Sequence, residues 1–422
     1  MNARAVLFTV MLVLTVCVFP GCSERKAGNE GRIRLQVAFW DASTTSFISD
    51  LKAAFEEANP DIVVEIIDIP STDFTQKLQV MLNGGSNVVA FWIKDADVTK
   101  ALANRGQLED LAPYVARDGI NLDDFKGLAQ MFEIDGKLVA IPASTGYYIL
   151  YYNKDIFDRA GVPYPSNDIT WAEWEAIAGR LASGSGNGRV YGGLIHTWQA
   201  CVQNWGVQNG INTIMDADLS FFIPYYEMAL RMQRAGTVWD YGSLRAGGIH
   251  YSSAFLQGRV ATMPMGTWFF STILERIGGN ENALRWGIAT LPHSPGVEPG
   301  YTVGSVTPLA INRSSRNKDA AWRFVNFTTS AEGAAVYAKS GLLPARSDDA
   351  ILQTITSTPG MPEGSLEALR VKNIALDRPI EDFAAEINQM LGEEHGLIML
   401  EEVGIIPGIA NMEKRSREIQ GK

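Results

Sequence analysis

The hydrophobic and polar positions in the first part of the chain follow two periods in turn. Residues 33–39 alternate well enough to predict a β-strand. Residues 47–58 carry an apolar side chain every three or four positions, which predicts an amphipathic helix that ends before Pro60. Residues 62–67 are nearly all apolar, as in a strand covered on both faces. This order of strand, helix and strand predicts a βαβ unit in a parallel sheet.

Similar patterns continue along the chain and alternate between strands and helices. The further predicted elements are a helix at 74–82, a buried strand at 88–93, a hairpin at 133–138 that turns at Asp135-Gly136, an extended run at 147–152, helices at 171–181, 318–329 and 331–339, and a strand at 303–311. Thr170 and Glu173 form a capping-box pattern before the helix at 171–181. The alternation favours the α/β fold class.

The N-terminal segment has the pattern of a processing signal and does not belong to the fold. Arg4 precedes an apolar stretch at 5–19 that is too short to span a bilayer, so residues 1–21 are predicted to be a secretory signal peptide. The sequence Phe-Pro-Gly-Cys that ends at Cys22 resembles a bacterial lipobox, although its Phe and Pro depart from the usual pattern. We expect Cys22 to be lipidated and residues 22–31 to tether the protein to the extracytoplasmic face of the cell membrane. An ordinary cleaved signal is the alternative.

Composition and charge narrow the class of function. The 422 residues are 46% hydrophobic and 20% charged, which is ordinary for a globular protein. The formal net charge of −11 argues against nucleic acid, and against an anionic membrane surface, as the main partner, because both attract basic patches. A lipidated Cys22 would leave Cys201 unpaired after cleavage, and the apolar surroundings of Cys201 favour a buried, inert thiol.

Several kinds of chemistry lack their sequence patterns. None of the four histidines lies at metal-ligand spacing from another, and the sequence has neither a P-loop nor a GxSxG motif. We therefore expect no metal, no cofactor and no catalytic residue. A glycosidase needs two carboxylates at a fixed separation, which a sequence cannot reveal. A secreted lipoprotein enzyme that acts on polysaccharide therefore stays open as an alternative.

Tryptophans and carboxylates occur together near the predicted strand ends. Trp40-Asp41 follows the first strand, and Trp92 closes the third strand shortly before Asp95. In open parallel sheets, ligands bind outside the carboxyl ends of the strands. An aromatic ring beside a carboxylate suits a sugar, because the ring covers a C–H face while the carboxylate accepts hydroxyl hydrogen bonds. Core packing is the alternative for each tryptophan, and we assign to it Trp171, Trp174, Trp286 and Trp322.

A series of short motifs runs through residues 33–346. They are LKAAFE at 51–56 with NPD at 59–61, VAFW at 89–92, GQLEDL at 106–111, DGKL at 135–138, YYNKDIF at 151–157, TWAEW at 170–174, FLQGRVA at 255–261 and GLLP at 341–344. In this order and spacing, the chain resembles the extracellular solute-binding proteins of bacterial ABC importers, in the sugar-binding group that includes maltose-binding protein. The resemblance implies a non-catalytic receptor that captures a sugar and delivers it to a membrane permease.

The resemblance also implies the architecture. It predicts two α/β lobes, each a mostly parallel sheet flanked by helices, which close on a ligand between them. The expected boundaries are 32–145 plus 306–342 for the N-terminal lobe and 146–305 plus 343–422 for the C-terminal lobe. Hinge strands are expected where the chain crosses between lobes, near 143–148, 305–310 and 343–346. The implied assembly is a monomer that contacts the permease subunits.

Ligand contacts follow from the resemblance by position. Trp92 and Asp95 match contacts from the first lobe, and Trp268 matches a stacking tryptophan from the second lobe. Further candidates at strand ends or at loops that face the other lobe are Trp40, Asp41, Tyr147, Trp198 and Tyr301. The same fold with an organic anion, a polyamine or iron as cargo is a further alternative, and Lys94 and Arg346 are the cationic candidates for an anion.

Overall fold

The parallel sheet predicted at the start of the chain is present. β1 (Ile33–Trp40) pairs in parallel with β2 (Ile62–Ile69) and with β3 (Val88–Trp92). The crossings are made by α1 (Phe47–Ala58) and α2 (Phe74–Asn83), which begin at the predicted residues. Every residue of β3 is buried, as expected for a strand covered on both faces. The βαβ unit read from the hydrophobic pattern is therefore confirmed.

The computed structural model describes residues 31–421, except Thr45, Lys126, residues 278–283 and Ser347. The predicted signal peptide and the lipidation site Cys22 lie outside the described residues.

The remaining strands are β4 (Glu133–Ile134), β5 (Lys137–Leu138), β6 (Ile141–Asn153), β7 (Thr262–Gly266), β8 (Trp286–Thr290), β9 (Tyr301–Ile311), β10 (Leu343–Pro344) and β11 (Asn373–Leu376). The remaining helices are α3 (Thr99–Asn104), α4 (Ala112–Asp118), α5 (Lys154–Ala160), α6 (Trp171–Leu181), α7 (Ala200–Val207), α8 (Ile223–Arg234), α9 (Tyr241–Ala246), α10 (Tyr251–Leu256), α11 (Phe269–Ile277), α12 (Lys318–Thr329), α13 (Ala331–Lys339), α14 (Asp349–Thr356), α15 (Ser365–Leu369), α16 (Ala384–Met399) and α17 (Ile405–Ile419).

Two long strands run through the middle of the molecule. β6 pairs with β9 from Ile141 to Tyr147, and from Tyr148 onwards it pairs with β7. β10 pairs with β6 at Thr145. The strand order is β10-β6-β9-β3-β1-β2, with β11 on β9 and with β7 and β8 on β6. The three segments at which the chain was expected to cross therefore lie side by side.

Strand direction around β6 differs from the mostly parallel sheet expected in the second half. β6 is antiparallel to β7, β8 and β9, and β3 is antiparallel to β9, whereas β9 and β11 are parallel. The reason is that β6 enters the second half as a crossing strand, so the strands that return beside it run in the opposite direction. Helices nevertheless surround both parts of the sheet, as the α/β class requires.

Two large hydrophobic cores among the described residues define two lobes. The first core, which includes Phe55 and Trp322, underlies the first lobe. The second core, which includes Phe255 and Leu391, underlies the second lobe. Each core is built from helices that pack on one part of the sheet, as in layered α/β domains.

The two long strands pass from one core to the other at the same level. In β6, Ala143 packs in the first core and Tyr147 in the second. In β9, Val303 packs in the second core and Val306 in the first. Two adjacent continuous strands therefore connect the lobes, which is the geometry of a hinge.

Local sequence signals act as predicted. Thr170 and Glu173 make a reciprocal capping box at the start of α6. The turn between β4 and β5 has positive φ at Asp135 (51°) and Gly136 (73°), as an Asp-Gly hairpin requires. Cys201 is buried, and burial raises the pKa of its thiol to about 12, so the thiol is inert as expected. None of the helices in the described part of the chain is long and apolar enough to cross a membrane.

The tryptophans assigned to packing are also where they were expected. Trp171, Trp174, Trp286 and Trp322 are all buried in the two cores. Trp171 and Trp174 contact each other and Trp205, at centroid distances of 5.6, 4.2 and 5.9 Å for the three pairs. This cluster stabilises the second lobe and leaves the remaining tryptophans as candidates for a ligand site.

Candidate functional site

The carboxyl ends of β1, β2 and β3 meet at one edge of the first lobe. Asp41 follows β1, and its Oδ1 accepts a hydrogen bond from the backbone N–H of Ser71 at 2.9 Å. Lys94 follows β3 and donates from Nζ to the Ser71 carbonyl at 2.9 Å. Asp95 is exposed and accepts a hydrogen bond from the Thr75 hydroxyl at 2.7 Å. The structure therefore brings Asp41 and Asp95 to the edge at which they were predicted.

The two tryptophans expected at this edge have different surroundings. Trp40 is half-buried, and its ring stacks on Phe39 with centroids 4.5 Å apart. Trp92 is only 1% exposed, and its indole N–H donates to the Tyr337 hydroxyl at 3.0 Å. Because β3 is covered on both faces, its last side chain turns into the first core. The structure corrects the expectation for Trp92, which is a core residue here and offers no face to a ligand.

A row of aromatic side chains lies in the second lobe, and we call Trp198, Tyr251 and Trp268 the aromatic wall. Trp198 is 38% exposed and meets Tyr251 edge-on at a centroid distance of 5.5 Å. Trp268 is half-buried, and burial raises the pKa of the Tyr251 hydroxyl to about 12 while the neighbouring Trp268 side chain acts in the opposite direction. The predicted residues Trp198 and Trp268 are thus joined through Tyr251, which the sequence analysis did not single out.

Two glycines fix the position of the Trp268 ring. A Cβ atom added to Gly266, at the end of β7, would lie 2.1 Å from ring atoms of Trp268. A Cβ atom added to Gly146, in β6, would lie 2.8 Å from the same ring. The Trp268 ring also contacts Tyr148 edge-on, with the two ring centroids 5.3 Å apart. The ring therefore lies flat against the backbone of the strands that connect the lobes, a position that only glycines at both sites allow.

A set of polar side chains links the two lobes, and we call Asp97, Asn204, Arg378 and Asn388 the polar bridge; the first three are buried and Asn388 is half-buried. Asn388 of α16 donates from Nδ2 to Asp97 Oδ2 at 3.1 Å. Arg378 donates from Nε to Asn388 Oδ1 and from Nη1 to Asn204 Oδ1, the latter at 3.2 Å. Asp97 is 3% exposed and Arg378 is 8% exposed. The loop after β3, the segment after β11, α16 and α7 thus converge on one polar cluster.

The polar bridge has unused hydrogen-bonding capacity. Asp97 Oδ1 and Asn204 Nδ2 are buried and have no hydrogen-bond partner. One of these atoms is an acceptor and the other is a donor. Buried polar groups are nearly always paired in native proteins, so these two atoms are exceptions to the usual satisfaction of buried donors and acceptors.

Two carboxyls at the polar bridge have raised pKa values. Burial raises the pKa of Asp97 to about 6, with further contributions from the nearby Asp95 and Asp377 carboxylates, while Arg378 and Asn388 act in the opposite direction. Packing around its carboxyl also raises the pKa of Asp377 to about 6, mainly through desolvation, against the lowering effect of Arg378. Negative charge is therefore disfavoured here even with a guanidinium present.

The aromatic wall and the polar bridge are neighbours. Tyr148, which contacts Trp268, lies close enough to Asp377 and Arg378 for their charges to act on the pKa of its hydroxyl, which burial raises. Asp95 in turn acts on Asp377 from the first-lobe edge. The first-lobe edge, the polar bridge and the aromatic wall therefore lie in one region of the molecule, where the charges of one group act on the pKa values of the next.

Three other predicted residues lie elsewhere. Tyr147 is buried and its hydroxyl donates to the Leu369 carbonyl at 2.7 Å. Arg346 forms an ion pair with Asp124 in the first lobe. Tyr301 is half-buried at the start of β9. Tyr147 and Tyr148 point to opposite faces of β6, which explains why the second tyrosine and not the first approaches Trp268. The structure corrects the expectations for Tyr147 and Arg346 and does not bring Tyr301 into the cluster.

The structure adds residues that the sequence analysis missed. Asp97 follows Asp95 by two positions, and its place in the same loop was a usable signal. Arg378 and Asn388 carried none, because a polar residue in a C-terminal tail is ordinarily solvated and only tertiary packing brings these two to Asp97. Within the described residues, no group of three or more His, Cys, Asp or Glu side chains is arranged to hold a metal ion.

Fold and site together define a two-lobe binding protein, and comparisons identify its family. The sequence model of the family described as bacterial extracellular solute-binding protein matches residues 41–335. A solved structure of a sugar transporter from Rhizobium etli, in an open conformation, is 37% identical and has a TM-score of 0.79, with 91% of this chain and 99% of that chain covered. The chain therefore belongs to the bacterial extracellular solute-binding proteins.

Two more distant relatives agree with this assignment. An ABC substrate-binding protein from Listeria monocytogenes, solved in complex with cycloalternan, has the same fold at 23% identity and a TM-score of 0.79, with 92% of this chain and 99% of that chain covered. The sn-glycerol-3-phosphate-binding periplasmic protein of Brucella abortus is 22% identical over 362 residues, 79% of each chain. The predicted family and the two-lobe α/β fold are thus confirmed. The family consists of binding proteins that act outside the cytoplasm.

Proposed function

We propose that this protein is the sugar receptor of an ABC importer, which captures its cargo between the two lobes and passes it to a membrane permease. The observation that carries the proposal is the aromatic wall, with its partly exposed tryptophans, beside the polar bridge. A sugar has C–H faces that stack on aromatic rings and hydroxyl groups that both donate and accept hydrogen bonds. The similarity to the Rhizobium etli sugar transporter supports the same cargo class.

The expected affinity suits uptake. A disaccharide of about 23 non-hydrogen atoms at about −0.3 kcal/mol per atom gains about −7 kcal/mol. That free energy corresponds to a dissociation constant on the order of 10 μM. Such a complex is tight enough to capture a nutrient and loose enough to release it to a permease.

The proposal includes a hinge motion. The lobes would be residues 32–145 plus 306–342 and residues 146–305 plus 343–422, joined by β6, β9 and β10. The pairing of Thr145 with both Val306 and Leu343 supports this position for the hinge. Closure would bring Asp95 and Asp97 of the first lobe towards the aromatic wall of the second lobe.

The proposal also includes a lipid anchor on Cys22 and a monomeric receptor on the extracytoplasmic face of the membrane. The pattern that ends at Cys22 supports the anchor. Replacement Cys22→Ala should move the protein from the detergent phase to the aqueous phase after expression in a bacterial host. An unchanged partition into detergent would contradict lipidation at this cysteine.

Thermal-shift measurements on the purified protein test the proposal. Mono- and oligosaccharides are screened together with sn-glycerol 3-phosphate, polyamines and iron, because a ligand that binds only the folded state raises the unfolding midpoint. The sugar that raises the midpoint is then recovered and chromatographed. A raised unfolding midpoint with a sugar that is recovered chemically intact supports a receptor. Sugar products would indicate an enzyme. A midpoint raised only by sn-glycerol 3-phosphate, a polyamine or iron would reject a sugar as cargo.

A further inference from the structure

We infer that three hydroxyls of the connecting strands, those of Ser144, Ser305 and Thr307, lie beside the Trp268 ring and hydrogen-bond to a sugar that packs against this ring. We call these three residues the hydroxyl floor. They would determine specificity, because any sugar can pack on a tryptophan but only some sugars place their hydroxyl groups to match three fixed partners. The inference rests on the proposed function, since it concerns the cargo of the same receptor.

The pairing of β6 with β9 places the hydroxyl floor on one face of the sheet. Gly146 is opposite Ser305, and Ser144 is opposite Thr307. Residues directly opposite each other in an antiparallel pair share a face, with Cβ atoms about 5 Å apart, and residues two positions apart in one strand also share a face. The three hydroxyl side chains therefore form a compact group on the same face as Gly146.

The Trp268 ring occupies the space above that face. A Cβ atom added to Gly146 would lie 2.8 Å from Cε3 of Trp268 and 3.2 Å from Cζ3, so the indole fills the place that a side chain of Gly146 would take. Ser305 is the cross-strand neighbour of this place. A sugar that contacts Trp268 and extends along the connecting strands would therefore meet the hydroxyl floor.

The three hydroxyls are available to a ligand. Their side chains are half-buried, and each hydroxyl oxygen is open to solvent and makes no hydrogen bond with another described residue. By contrast, the hydroxyl of Thr302, farther along β9, is buried and donates to the carbonyl of Tyr148. A hydroxyl can donate one hydrogen bond and accept others, so the floor complements the hydroxyl groups of a sugar.

Strands from both sides of the hinge end beside the floor. The backbone N–H of Ile93, just after β3, donates to the carbonyl of Pro308 at 2.8 Å. The backbone N–H of Asp377, just after β11, donates to the carbonyl of Gly304 at 2.9 Å. The carboxyl ends of the two strands thus bracket residues 305–307, and open α/β sheets bind ligands at strand carboxyl ends.

The opposite face of the same strands provides a matched control. Thr145 pairs with Val306, and its side chain lies on the face of Ala143 and Tyr147, which pack into the two cores. The Thr145 hydroxyl also has no hydrogen-bond partner among the described residues. Thr145→Val and Thr307→Val therefore remove the same group from neighbouring positions of the hinge, but on opposite faces.

Calorimetric titration with deoxy sugars tests the inference on the purified protein. The probes are the sugars of the thermal-shift screen, beginning with glucose, galactose, mannose and maltose, each beside its monodeoxy derivatives. We expect Thr307→Val and Ser305→Ala each to weaken binding of the parent sugar by about fivefold. For one deoxy derivative, each variant should bind as tightly as wild type, because the hydrogen bond that the variant lacks is already absent.

The remaining outcomes separate the inference from the proposed function. Thr145→Val should bind every probe as wild type does, and an equal loss in this control would assign the effect to the hinge and overturn the inference. Wild-type affinity in Thr307→Val and Ser305→Ala, or one uniform loss for the parent sugar and all its deoxy derivatives, also overturns it and leaves a sugar receptor standing. Failure of all carbohydrates to bind rejects both. Ser144→Ala replaces either variant if its unfolding transition shows that it does not fold.

Discussion

The side-chain amide of Asn388 donates a hydrogen bond to the carboxylate of Asp97 at 3.1 Å, although 291 positions of sequence separate the two residues. Asp97 belongs to the loop that follows the third strand of the first lobe, and Asn388 belongs to α16. The contact therefore joins the first lobe to the C-terminal part of the chain at the centre of the candidate site. Any ligand that enters this site must be accommodated around that contact.

Trp198→Ala should weaken sugar binding by about tenfold or more, which corresponds to about 1.4 kcal/mol, because it removes an exposed face of the aromatic wall. Its 38% exposure predicts little change in the unfolding midpoint. Tyr164→Ala is a matched control, since Tyr164 is 42% exposed and lies by α5. Calorimetric titration measures the affinities. Equal affinities for wild type and Trp198→Ala would remove Trp198 from the site.

Gly266→Ala should displace the Trp268 ring, since the new methyl group would lie 2.1 Å from it. We expect a fall of about tenfold in sugar affinity. Gly179→Ala in α6 is the control, because a Cβ atom there meets nothing within 4 Å and alanine stabilises a helix by about 1 kcal/mol relative to glycine. If both variants bound sugar as tightly as wild type, Trp268 would not be a stacking residue.

Trp92→Ala should destabilise the protein by about 3–5 kcal/mol, because it empties a large volume in the first core. The folded fraction should bind sugar with nearly wild-type affinity. Denaturant unfolding gives the stability, and titration below the unfolding transition gives the affinity. The reverse pattern, with intact stability and lost binding, would restore Trp92 as a ligand contact.

Asp97→Asn should raise stability above about pH 4, and the gain should be nearly complete above about pH 6. The folded pKa of about 6 lies above the ordinary value of 3.8, so ionisation disfavours the folded state as pH rises through about 6. Asparagine stays neutral, so the variant should gain up to about 3 kcal/mol at about pH 8 and nothing below about pH 4. Unfolding midpoints of variant and wild type across this range measure the difference. A gain that does not depend on pH would show that Asp97 is not the group that titrates.

Much of the fold followed from local patterns, because those patterns depend on local physics. The cap at Thr170 and the turn at Asp135-Gly136 each satisfy backbone requirements within a few residues. Strand direction around β6 did not follow, because it depends on how the chain crosses between the lobes. A period of two along a strand carries no information about the direction of its neighbours.

The site was predictable only in part for a similar reason. Asp41 and Asp95 follow parallel strands, and topology places such residues at one edge. The prediction that Trp92 contacts a ligand was wrong, because the last side chain of a strand covered on both faces packs into the core as readily as it faces outward. Arg378 and Asn388 could not be predicted, since they reach Asp97 only through the packing of α16 against the first lobe.

Hydrogen–deuterium exchange with and without the sugar that raises the unfolding midpoint tests capture between the lobes most directly. Residues 92–99 include Asp95 and Asp97, residues 198–207 include Trp198 and Asn204, and residues 376–388 include Arg378 and Asn388. The account predicts slower exchange in all three segments on addition of sugar. Protection confined to one lobe, or found only at segments remote from Asp97 and Trp198, would contradict it.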